Sequence, residues 1–89
     1  MPQNTFEAVR AEALFASTIQ SSDQPTDVEV RGAVAATLRR FGIRGCAAVV
    51  ASEYGEHPET ACPRMAWALA TVRATYPIYI SRAELALAG

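Results

Sequence analysis

Residues 41–58 read Phe41-Gly42-Ile43-Arg44-Gly45-Cys46-Ala47-Ala48-Val49-Val50-Ala51-Ser52-Glu53-Tyr54-Gly55-Glu56-His57-Pro58. Two glycines bracket a short helical pattern, and a proline follows the second. Gly42 fits the backbone position that ends a helix, and Ile43 can close the apolar contact beyond it. Gly55 fits a second such end. Pro58 suits the first position of a new helix, where its missing N–H costs nothing, and Glu59 suits the positive end of that helix dipole. The stretch therefore predicts two tight turns around a short helix, about 44–54, with Ile43, Ala47, Val50 and Tyr54 as its inner stripe.

Upstream, Thr26 and Glu29 make a capping box that opens a helix over about 27–41. Val30, Val34, Leu38 and Phe41 lie on one face of it. A loop, Ser-Ser-Asp-Gln-Pro-Thr at 21–26, separates this helix from an earlier one over 4–20. Phe6, Val9 and Ala13 recur there at helical spacing, and so do Ala11, Leu14, Phe15 and Ile19. Helix one thus carries two apolar faces, more than one core contact requires. Downstream, Met65, Leu69, Val72 and Tyr76 mark the core stripe of a helix from Pro58 to about Thr75. Pro63 inside it predicts a kink or an irregular first turn. Ile78-Tyr79-Ile80 is apolar and β-prone, and Ser81 could cap a last helical turn.

These readings make an all-α protein, a compact orthogonal bundle of four to five helices in one domain over 1–89. Residues 1–3 form an N-terminal arm and 77–89 a C-terminal tail. At 89 residues the core is marginal and gains from a partner subunit. With two cysteines, no cleavable leader pattern and no apolar run of membrane-spanning length, the expected location is cytoplasmic, with reduced thiols and no membrane association. All eight basic residues are arginine.

The net charge of −1 gives no overall basic field for nucleic acid, but the charges are segregated. Residues 1–30 hold five acids and one arginine. Residues 31–45 hold Arg31, Arg39, Arg40 and Arg44 with no acid, and residues 46–60 hold Glu53, Glu56 and Glu59. The segregation reads either as ordinary solvated helix faces or as a bipolar surface that favours self-association or an oriented partner.

Catalytic and metal chemistry find little to build on. Cys46, His57 and Cys62 lack the number and spacing of zinc ligands. A Cys–His nucleophile pair would need a group to orient the base, and only Glu56 and Glu59 are near. No cofactor, no metal and no enzymatic activity are expected.

Residues 46–69 resemble the helix-turn-helix of bacterial DNA-binding proteins. Val50 and Ala51 stand where that family has an apolar and a small residue. Gly55 stands at its turn, and His57, Pro58, Thr60 and Ala61 open its recognition helix. The resemblance implies a DNA-binding regulator with contacts from Arg39, Arg40, Arg44, His57, Thr60 and Arg64. Glu56 departs from the usual apolar residue, and the groove-facing set lacks the Arg, Asn or Gln that read base edges. As a whole the chain is similar to short alanine-rich proteins of Streptomyces and its relatives.

The favoured reading is a regulatory or adaptor protein acting by protein–protein contact, most simply as a homodimer. Trp67, Ala70, Thr71 and Ala74 form a second face of the last long helix; Trp67 is either buried by the second face of helix one or, as Trp is a preferred interface anchor, part of a contact surface. Together with Ile78, Tyr79 and Ile80 they are the candidate interface.

Overall fold

The structure, a computed structural model, describes residues 5–77. Three α-helices are present among them, and no strand: α1 (Thr5–Ala16), α2 (Asp27–Glu56) and α3 (Pro58–Thr75). A single 3₁₀ turn, Ser21–Asp23, sits in the first connection. The all-helical class holds. The count of helices is lower than expected, because residues 27–56 form one element with a break in it.

α1 stops four residues short of its expected end. Ser17 explains this: its Oγ donates to the Leu14 carbonyl at 2.6 Å, and its N–H donates to the same oxygen at 3.1 Å. A serine that bonds nearby backbone competes with the next helical turn.

α2 begins as the sequence predicts. Glu29 N–H donates to Thr26 Oγ1 at 3.2 Å, and Thr26 N–H donates to Glu29 Oε1 at 2.8 Å. Fifteen residues on, Gly42 has φ 72° and ψ 173°. That conformation belongs essentially to glycine alone. It differs from the left-handed helical cap expected there, but the helix is interrupted at the expected residue. The bend is sharp. Cys46 Sγ lies 4.0 Å from the Thr37 carbonyl oxygen, whereas nine residues of straight helix would separate them by roughly 13 Å.

The second expected turn is not at Gly55. Gly55 is helical, Gly42 is the one glycine with positive φ among the described residues, and α2 runs on to Glu56. His57 alone (φ −139°, ψ 61°) joins α2 to α3. Ala51, expected to let two helices approach closely, is exposed. The inner stripe of residues 43–56 also differs: Ile43 is 60% exposed, and the buried position is Cys46.

The core is built largely from small side chains. Ala11, Ala13, Leu14 and Phe15 come from α1, Val30, Val34 and Cys46 from α2, and Ala61, Ala68 and Val72 from α3. On α3 the buried stripe is Ala61, Ala68, Val72 and Thr75, with Met65, Leu69 and Tyr76 half-buried beside it. At about 100° per residue, this turns α3 by roughly 60° from the expected stripe. Alanines take the closest approach, and larger residues fill the flanks. α3 runs through Pro63 as one helix.

Arginines tie the helices together. Arg64 of α3 donates Nε to the Phe15 carbonyl at 2.9 Å and Nη2 to the Ser17 and Ile19 carbonyls at 3.1 and 2.9 Å. α1 has no basic residue in its own last turn, so its open carbonyls at Phe15 and, at 3.4 Å, Leu14 are met by a side chain from another helix, which also ties the Ser17 and Ile19 carbonyls just beyond the helix. Arg31 of α2 does the same for α3, donating Nη2 to the Thr75 carbonyl at 2.7 Å. Arg73 pairs with Glu7 at 3.0 Å. The Tyr76 ring has the guanidinium carbons of Arg10 and Arg31 at 4.0 and 4.6 Å from its centroid.

Candidate functional site

The rotation of α3 decides what becomes of Trp67. It moves the indole roughly 60° toward the core, where Trp67 is half-buried and packed against the cluster. The Arg64 guanidinium lies 5.3 Å from its ring and 5.5 Å from that of Phe15. Thr71 is half-buried as well, while Ala70 and Ala74 are exposed. Ile78, Tyr79 and Ile80 lie outside the described residues.

The residues implied by the helix-turn-helix resemblance fall into separate groups. His57 and Thr60 are exposed at the start of α3, where Thr60 Oγ1 donates to the His57 carbonyl at 3.1 Å. Glu56 and Glu59 are exposed around them, with Glu59 Oε1 3.9 Å from His57 Nδ1. Arg64 is engaged with α1, and desolvation there lowers its pKa, partly offset by Glu53. Arg39, Arg40 and Arg44 are exposed on either side of the Gly42 break.

The two cysteines part company. Cys46 is buried, and burial, with a smaller contribution from Glu12, pushes its thiol up from the ordinary value. Cys62 is exposed on α3. Neither is in a disulfide.

A surface that the sequence reading did not single out lies at the Gly42 break. The bend sets Leu38, Gly42 and Ile43 against the first two turns of α1, and Thr5, Phe6, Val9 and Arg10 complete an open groove of about 520 Å³. Its walls are apolar, and large side chains stand out in water: Phe6 is 72% and Ile43 60% exposed. Phe41, beside Gly42, is 41% exposed. Single exposed apolar residues are ordinary, but a contiguous concave set of them marks a contact surface. Part of the signal is the apolar face of helix one formed by Phe6, Val9 and Ala13, of which the core takes only Ala13. Sequence spacing does not signal the other wall, because it places Ile43 in the inner stripe.

No helix among the described residues is long and apolar enough to cross a membrane. Comparison with protein-family models, with curated proteins and with solved structures gives no match to this chain.

Proposed function

We propose that this chain is a small, non-enzymatic regulatory or adaptor protein of the cytosol, and that it works by receiving apolar side chains of a partner protein's helix in the groove at Gly42. The observation that supports this most is the exposure of Phe6 and Ile43 on facing walls of one concavity. An amphipathic helix laid into an apolar groove is a common mode of recognition between proteins. Gly42 makes the concavity possible, because an unbroken α2 could not turn Ile43 back beside Leu38.

The homodimer expected over Trp67, Ala70, Thr71 and Ala74 has less to rest on. Its aromatic anchor is half-buried beneath Arg64, and Ala70 and Ala74 offer only methyl groups. A DNA-binding role is the second reading, favoured by the exposure of Arg39, Arg40 and Arg44 on adjacent turns. Against it, Arg64 is spent on α1 and two exposed acids, Glu56 and Glu59, flank the turn that the family points at phosphates.

The test of the groove is direct. Fluorescein-labelled amphipathic peptides with a leucine stripe should bind the native chain, and the double variant Phe6→Ser/Ile43→Ser should weaken that binding about tenfold or more. Both side chains are mostly exposed, so the variant should keep its fold by circular dichroism. If no such peptide binds, the reading fails. Duplex DNA at low salt checks the alternative, since a DNA binder holds nonspecific duplex there and releases it steeply as salt rises.

A further inference from the structure

The charges around the groove carry the reading one step further, to the chemistry of the partner. Among the described residues Arg10 is the one charged residue that lines the groove, and the guanidinium lies 5.8 Å from the Phe6 ring centroid. Arg39 and Arg44 are exposed chain neighbours of the wall residues Leu38 and Ile43, and Arg40 is exposed one turn away. Among the described residues, the acids of α1 do not balance them. Glu7 is already paired with Arg73, and its side chain is only 18% exposed. Glu12 is half-buried and acts on Cys46, one turn beyond the groove. The apolar floor therefore has Arg10 in its lining and the exposed Arg39 and Arg44 next in the chain to its α2 wall, although the chain as a whole carries a net charge of −1.

We propose that the groove takes an acidic amphipathic helix of another protein: leucine-like side chains against Phe6, Val9, Leu38 and Ile43, with Asp or Glu on its flanks facing Arg10, Arg39 and Arg44. This rests on the docking reading above. A second copy of this chain fits worse. A twofold dimer through the groove would gather two copies of Arg10, Arg39 and Arg44 into one interface with no acid among the groove's lining residues to offset them, and like charges across an interface oppose association. An acidic partner gains twice, from steering during encounter and from complementary pairs at the rim.

Two peptides of about 18 residues with the same leucine stripe, one flanked by Glu and the other by Lys, separate the possibilities. Fluorescence anisotropy is read at about 50 mM and about 500 mM salt. The Glu peptide should bind about tenfold or more tighter than the Lys peptide at low salt, and the difference should shrink at high salt. The double variant Arg39→Glu/Arg44→Glu, altered only at exposed positions, should reverse or abolish the preference. Equal binding of the two peptides, or a preference untouched by that variant, overturns the acidic partner and leaves the groove standing. Binding of neither peptide, or binding unaffected by Phe6→Ser/Ile43→Ser, overturns both readings. Concentration-dependent dimerisation lost in Ile43→Ser would assign the groove to a second copy and also overturn the proposal.

Discussion

Replacing Arg64 by alanine should cost this protein a large part of its stability. The three shorter hydrogen bonds of Arg64, of 2.9, 3.1 and 2.9 Å to the carbonyls of Phe15, Ser17 and Ile19, would be lost, along with a weak one of 3.4 Å to that of Leu14. Bonds from a charged donor contribute roughly 1.5–3 kcal/mol when well buried. The half-buried setting reduces that to about 1 kcal/mol each. The interaction with the negative end of α1 adds about 0.5 kcal/mol. The contacts with the Phe15 and Trp67 rings add about 0.5 kcal/mol more. The total is about 4 kcal/mol, against roughly 5–13 kcal/mol for a whole chain of this length. In domains of this size 1 kcal/mol moves Tm by about 4–8 °C, so Arg64→Ala should melt about 15–30 °C lower. Arg64→Lys keeps the charge but cannot span three carbonyls, and should recover less than half of the loss. Thermal melting followed by circular dichroism reads both. A Tm for Arg64→Ala within about 5 °C of the native value would refute the capping account and free Arg64 for another role.

The glycines should respond in opposite directions. Gly42→Ala forces alanine to φ 72°, ψ 173° and should cost about 1–3 kcal/mol, while Gly55→Ala, in helical backbone with nothing within 4 Å of the new Cβ, should stabilise by about 0.5–1 kcal/mol. A loss at Gly55 would restore the turn expected from the helix-turn-helix resemblance; chemical denaturation distinguishes the cases. A chromogenic disulfide reagent should titrate one thiol quickly in the native chain, that of exposed Cys62, and a second only on unfolding, that of buried Cys46. Burial also raises the Cys46 pKa in the fold, so its contribution to stability should be complete below the ordinary thiol pKa of about 8.5 and fade as pH rises toward the higher folded value. Cys46→Ala should remove that alkaline decline; an unchanged decline would assign it elsewhere.

Local chemistry was legible where one short stretch decides it. Thr26 with Glu29, Pro58 at the start of α3 and the break at Gly42 each depend on residues a few positions apart. What could not be read depends on contacts distant in sequence. The end of α1 is set locally by Ser17, but the Arg64 guanidinium that ties the carbonyls there comes from some fifty positions on, and no periodicity in residues 4–20 announces it. The phase of α3 was misread because Met65, Leu69 and Tyr76 look like a core stripe, whereas close helix packing selects Ala61 and Ala68 for the interior. That one rotation turned Trp67 from a candidate anchor into a half-buried neighbour of Arg64. Gly55 looked like a turn because a proline follows three residues later, yet His57 makes the connection alone. The groove was half legible: the surplus apolar face of helix one holds Phe6 and Val9, but the spacing places Ile43 in the inner stripe, whereas the Gly42 bend turns it outward.

The central claim is that this chain acts through the groove at Gly42, with Arg64 and Trp67 serving the fold. Backbone amide shifts of isotope-labelled protein titrated with the Glu-flanked peptide test it most directly. The account predicts perturbations concentrated at residues 5–10 and 38–44, with little change from His57 to Thr71. Perturbations centred on His57, Thr60 and Trp67 would contradict it.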